Sequence, residues 1–325
     1  MTYNGTLQGH FVSGKGTSLL LLLLSVAVWS VGLFLNPRPE SVCWPGYPFS
    51  LPGEVLSALV PLLCYVAVAF ILVSFHLHES RIHWLAPLYL FIVSVSTVIH
   101  YDVVASVSTL FFMLLMRELL SCEPGETVTG SLFAAFALLG LMAFALPQFL
   151  WLLPMLVVYL FVSNIAGGKN IMAAILGLLL PFWLLLGTMY VWPDVAVVMP
   201  SWDKFLDSVE LSSAADIIPL RLLLAAMELV IMLPVTVLFV RSSVPSKPLV
   251  RRNFMFVMIM NSFLLLLSCF LADAFELFYA WRVPGIAVMA SYLFSLKITR
   301  FSNVYFILVF VFWILIAISG IWTSR

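Results

Sequence analysis

Apolar runs long enough to cross a bilayer recur from residue 17 to residue 322, with only short polar breaks between them. A hydrocarbon core of about 30 Å needs roughly 17–25 apolar residues as helix. In lipid the backbone must satisfy its own hydrogen bonds, so such runs fold as helices. The composition leaves no soluble alternative: 63% of residues are hydrophobic and 9% charged, too few to cover a water-facing surface. The expectation is an all-α, polytopic transmembrane bundle in a single integral domain, 1–325.

The runs divide into about eleven spans: 17–36, 54–75, 84–99, 102–117, 127–146, 148–163, 171–191, 218–240, 253–272, 284–297 and 304–322. The third and fourth are short and joined by His100-Tyr101-Asp102, and the fifth and sixth meet at Pro147-Gln148; both pairs read as tight helical hairpins. The first run exceeds the 7–15 residues of a signal-peptide core and ends in Phe34-Leu-Asn-Pro37, with no small-residue cleavage pattern. It reads as a retained helix.

Orientation follows from the stretch Arg241–Arg252, where Arg241, Lys247, Arg251 and Arg252 gather without an acidic neighbour. Basic residues in short loops stay in the cytoplasm. Counting outward from that loop puts Lys15, Arg81, Arg117, Lys169, Lys297 and Arg300 inside as well. Arg38, Lys204, Arg221, Arg282 and Arg325 fall outside, together with most of the acidic residues. The amino terminus is expected inside and the carboxyl terminus outside, in a bacterial cytoplasmic (inner) membrane. Net charge is zero, so no nucleic-acid partner is implied.

Two outer loops have character. Residues 37–53 hold five prolines interleaved with Trp44, Tyr47 and Phe49, and read as neither helix nor strand: an interfacial connector, or a lid over a site. In 192–217, Trp202, Phe205, Leu206 and Val209 recur at helical spacing, which predicts an amphipathic helix lying on the outer leaflet.

Glu228 is the sharpest single residue, because a carboxylate in mid-span costs about 2.5–3.5 kcal/mol and by default marks a pathway or site. Arg221 is seven residues away, about 10 Å along a helix, too far for a direct pair. Asn261, at similar depth on the next span, is the expected partner. The competing reading is a protonated Glu228 serving as packing glue with Asn261. The cluster His76-Leu-His78-Glu79-Ser-Arg81-Ile-His83 does not put a metal-ligand set on one helix face, and the four cysteines make no CxxC pair, so neither metal nor cofactor is expected. Gly9–Thr17 approaches a phosphate loop but has Gly16 where the hydroxyl residue belongs and no preceding strand. Asn4-Gly-Thr6 fits a glycosylation sequon on the expected inner side, where it carries no meaning. Glu40, Glu54, Asp102, Asp273 and Glu276, with His100, Arg38 and Arg282, fall at outer helix ends; they read either as solvated caps or as a carboxylate base with phosphate-holding cations.

The stretch Gly130–Pro154 and the segment Ile175-Leu-Gly-Leu-Leu-Leu-Pro181 carry a resemblance. The chain resembles a family of bacterial polytopic membrane proteins known only as a domain of unknown function. The first seven spans, 17–191, are also similar to the shared module of GT-C glycosyltransferases, with 192–217 as a connector and 218–325 as further spans. That resemblance implies a catalytic acid at Glu40 and a polar tip at His100 and Asp102. It also implies a polyprenyl-linked sugar as substrate; Arg38 and Arg282 from the outer polar set, and Glu228 with Asn261 at mid-span, are candidate substrate- or lipid-binding residues by their own chemistry. Residues 37–53 depart from it in holding a lone Glu40 rather than a paired acidic motif. Three function classes follow: an envelope-associated component without catalysis, in contact with the bilayer or another membrane subunit; an outer-leaflet glycosyltransferase; and a transporter using Glu228, for which no inverted repeat is visible.

Overall fold

The computed structural model describes residues 7–14, 16–35, 41–43, 50–75, 83–96, 99–100, 102–122, 128–191, 219–241, 248–271, 274–295 and 300–323. The described residues form twelve α-helices: α1 (Leu7–Ser13), α2 (Thr17–Leu35), α3 (Gly53–Val73), α4 (Leu85–Val95), α5 (Val103–Leu120), α6 (Thr129–Ala145), α7 (Leu153–Val162), α8 (Gly168–Val191), α9 (Pro219–Arg241), α10 (Pro248–Phe270), α11 (Phe275–Ser295) and α12 (Arg300–Thr323). A 3-10 turn, Pro147–Leu152, joins α6 to α7. Each of the eleven apolar runs coincides with one of α2–α12. Six of the described helices are long and apolar enough to cross a membrane by themselves: those over 103–120, 168–191, 220–241, 248–270, 275–295 and 302–319.

Several boundaries differ from the sequence reading, three of them with a clear physical reason. The proline-rich loop forms two short strands, β1 (Ser41–Cys43) and β2 (Ser50–Pro52), paired antiparallel with Val42 opposite Leu51. A proline at the end of a short edge strand needs no ladder donor, so Pro52 is accommodated. The ninth run starts at Pro248 instead of 253, which places Arg251 and Arg252 within α10, close to its start. The tenth starts at Phe275 instead of 284, because Pro284 lies inside α11 rather than at its first turn. Neighbouring helices hold the chain helical through a proline that would end an isolated helix.

The exterior is apolar in the manner of a lipid-facing surface: Phe70, Trp183 and Val240 are each more than two-thirds exposed. The centre is α11, which touches α1, α4, α5, α9 and α10. It is the least apolar of the six long helices and the most completely buried. Where the solvent is hydrocarbon, the polar helix belongs inside. Its Trp281 donates from Nε1 to Ser108 Oγ on α5 at 2.9 Å, and its Tyr279 hydroxyl meets Ser96 Oγ, just after α4, at 2.9 Å.

Polar contacts show which helix ends lie together. At one end Gln8 on α1 donates from its backbone N–H to Asn303 and from Nε2 to the Phe294 carbonyl, while Ser302 donates to Gln8 Oε1. Phe11 meets Trp84, Phe306 and Phe310 edge-on. Arg252 donates to the Cys122 carbonyl at 2.6 Å and Asn253 to the Leu120 carbonyl at 3.0 Å, so the start of α10 caps the end of α5. Burial lifts the Cys122 thiol to about 11 against the pull of the nearby Arg252 charge, which marks it as an inert thiol.

On the periphery α8 packs against α6 at very close range. A Cβ at Gly140 would collide with the Leu178 carbonyl oxygen, and one at Gly177 with the Phe133 carbonyl oxygen. Small residues let two backbones approach in a membrane where no hydrophobic force draws helices together.

Candidate functional site

Two ion pairs link α9 to α11. Arg221, in the first turn of α9, donates from Nη2 to Glu276 Oε1 at 3.1 Å at the first turn of α11. Farther along, Glu228 Oε2 meets Arg282 Nη1 at 2.8 Å with both side chains wholly buried. The two helices run in the same direction, so the two-turn step from Arg221 to Glu228 is matched by the step from Glu276 to Arg282, about 10 and 9 Å at 1.5 Å per residue. The order of charge is inverted between them: cation then anion on α9, anion then cation on α11.

Phe275 joins the two pairs. The guanidinium carbons of Arg221 and of Arg282 each stand 5.6 Å from its ring centroid, and that of Arg282 lies 5.5 Å from the Tyr279 ring. Rings at this distance attract a cation through their quadrupole, by about 2 kcal/mol or more when desolvated. Arg282 is therefore held by a carboxylate and by two aromatic rings. A buried ion pair offsets its desolvation only when its remaining donors and acceptors are satisfied. Here Glu228 Oε1 and Arg282 Nε and Nη2 have no hydrogen-bond partner among the described residues.

Asn261 on α10 does not serve Glu228, as the sequence suggested. Its Nδ2 donates to the Arg282 carbonyl at 3.2 Å. It reaches that carbonyl by lying directly on Gly285, where a Cβ would collide with its amide. Gly285 follows Pro284, whose missing N–H would have served the Ala280 carbonyl, and the Asn261 bond holds α11 two residues before that proline. Beside it a cavity of about 20 Å³, lined mainly by apolar side chains including Met113, Met116 and Met260, separates α10 and α11 from α5.

Of the expected outer cluster, the structure describes the side chains of His100, Asp102, Glu276 and Arg282. Arg38 and Glu40 lie outside the described residues, as do Asn4, the His76–Arg81 part of the histidine cluster, Asp273 and the 201–211 segment. His100 is fully buried, with its ring 3.9 Å from that of Trp29, and burial pushes its imidazole down to about 4. Its ring is part of the buried interior. Asp102 is the N-cap of α5 and accepts the Ala105 N–H at 2.9 Å. Burial raises its carboxyl, the Ala105 and Val104 N–H groups pull it back down, and the negative charge of Glu276 raises it further. Arg282, expected at an outer helix end, is the eighth residue of α11. Among the described residues no group of three or more His, Cys, Asp or Glu side chains could hold a metal ion.

Sequence reasoning missed both pairings. It compared Glu228 with Arg221 on the same helix and with Asn261 on the next. The available signal was the inverted repeat of charge, Arg-x6-Glu on one run and Glu-x5-Arg on another, which registers two parallel helices only when read across both. No family model matches the chain, and no curated protein or solved structure matches it.

Proposed function

We propose that the chain is an eleven-span integral protein of a bacterial cytoplasmic membrane, amino terminus inside, acting as a non-catalytic component of the cell envelope. The observation that carries this reading is the employment of His100 and Asp102. These are the two described members of the expected catalytic set, and both serve the fold, one packed on Trp29 and the other capping α5. A general base needs its carboxylate or imidazole within reach of a substrate proton. A wholly buried ring and a helix cap meet that need poorly. The Arg221–Glu276 and Glu228–Arg282 pairs likewise hold α11 at the centre of the bundle, which suits a scaffold that presents its apolar flanks to lipid or to another membrane subunit.

The test is complementation in a strain lacking the gene. Glu40→Gln and Asp102→Asn variants are expected to restore the wild-type envelope phenotype, and the purified protein to transfer no sugar from a polyprenyl-phosphate donor. Loss of complementation by Glu40→Gln at normal expression, or measurable transfer, overturns the reading in favour of the glycosyltransferase. A reporter fused after Ile217 is expected to be active outside the cytoplasm; a cytoplasmic reporter overturns the orientation.

A further inference from the structure

We propose that Glu228 and Arg282 form a water- and proton-binding site, entered only from the end of the bundle that holds Arg221 and Glu276. The site has the polar capacity for it. A guanidinium offers five donors and a carboxylate about four acceptor positions. The single contact between the two leaves Glu228 Oε1 and Arg282 Nε and Nη2 without protein partners among the described residues. Buried polar atoms in that condition are met by ordered water, which makes about three hydrogen bonds at such sites.

The direction of entry follows from where the charges stand. The Glu276 side chain is 41% exposed and that of Arg221 17%, while Glu228 and Arg282 have no exposure. Polar groups thus step inward from Glu276 to Arg221, past the Phe275 ring that both guanidiniums face, to Arg282 and Glu228. In the other direction α9 turns Ile231 and Val235 inward, and α11 turns Val283, Ile286 and Ala287, all buried. The next ionisable side chains that way on the two helices are Arg241 and Tyr292, about 20 and 15 Å on at 1.5 Å per residue. The site is a blind end.

The remaining groups around Glu228 are accounted for. On α11 these are Arg282, Tyr279 and Glu276, and on α9 Arg221. From α10 Asn261 is neutral and bonded to the Arg282 carbonyl, and Ser262 faces Met232. From α12 Tyr305 donates to the Val230 carbonyl. Beyond these, Asp102 at the start of α5 is close enough to Glu276 to feel its charge. Only Glu228 can accept a proton at the blind end while its neighbours keep their roles. Hydronium gives one proton to a Glu228 carboxylate oxygen and departs as water. Arg282 keeps its charge, still held over the rings of Phe275 and Tyr279. Protonation therefore loosens the α9–α11 clasp and leaves Arg282 held by the two rings and the neutral carboxyl oxygen in place of a counter-charge.

Infrared difference spectroscopy of the protein in right-side-out and inverted vesicles tests this, with protons as the only probe. On acidification the protonated-carboxyl bands are expected to include one that shifts in deuterium oxide, is absent in Glu228→Gln and is displaced in frequency in Glu228→Asp. The aspartate variant keeps the charge and covers the case in which the glutamine variant does not fold. The band is expected to respond at least tenfold faster when the compartment facing Glu276 is acidified than when the opposite one is. No wild-type band that either substitution alters, or an equal response of that band from both compartments, overturns the proposal. None of these outcomes bears on the envelope role.

Discussion

Glu228 on α9 and Arg282 on α11 meet at 2.8 Å with neither side chain exposed, and this contact ties α9 to the helix at the centre of the bundle. Without a partner, each of these residues would have to be drawn toward water. With one, the least apolar long helix becomes the most buried.

Removing one member of the pair leaves a buried charge. Glu228→Leu and Arg282→Met are each expected to cost about 3–5 kcal/mol, while the double substitution returns most of that loss, since apolar replacement of a whole buried pair is often neutral. Thermal unfolding of the four proteins in detergent closes the cycle. Additive losses would show that the two side chains do not act as a pair.

Gly285→Ala forces the Asn261 amide off the Arg282 carbonyl and is expected to cost about 1–3 kcal/mol through overpacking. Adding Asn261→Ala removes the collision. The double variant is then expected to be more stable than the sum of the single losses implies, by about 1 kcal/mol. The same unfolding measurement reads it, and simple additivity would argue that the two residues do not touch.

The close approach of α6 and α8 depends on Gly140 and Gly177. Alanine at either is expected to part the helices at a cost of about 1–3 kcal/mol. Gly187→Ala on the same α8, where a Cβ meets nothing, is expected to gain up to about 1 kcal/mol of helix propensity. Disulfide cross-linking between cysteines placed on the two helices reports the separation directly.

His100 makes stability depend on pH with a definite sign. Its imidazole resists protonation down to about 4, whereas a free one takes its proton near 6.5. Protons therefore favour the unfolded chain through that window. The stability contributed by neutral His100 is intact above about 6.5 and lost progressively toward about 4, about 3 kcal/mol in all. His100→Phe keeps a ring against Trp29 without a titrating group, so its unfolding temperature is expected to vary less across the window. Identical pH profiles for both proteins would remove His100 as the cause.

Local pattern made the helices legible. Each of the eleven apolar runs became a helix because lipid offers the backbone no alternative. The errors fell at helix ends and in partnerships. Pro284 reads as a beginning when taken alone, and Arg251 and Arg252 read as loop. Only the neighbours holding α11 through its proline, and the α5 carbonyls awaiting a cap, make all three helical residues.

The sequence by itself determined that this chain is an apolar helical protein, where its helices run, and that Glu228 had to be answered by some other polar group. Hydropathy is a property of each residue, and helix length is a property of each run. Only the tertiary structure decided that the answer is Arg282, that Asn261 braces α11, and that His100 is core. Pairing between parallel helices depends on their rotation and register, and those are set by the packing of every other helix around α11.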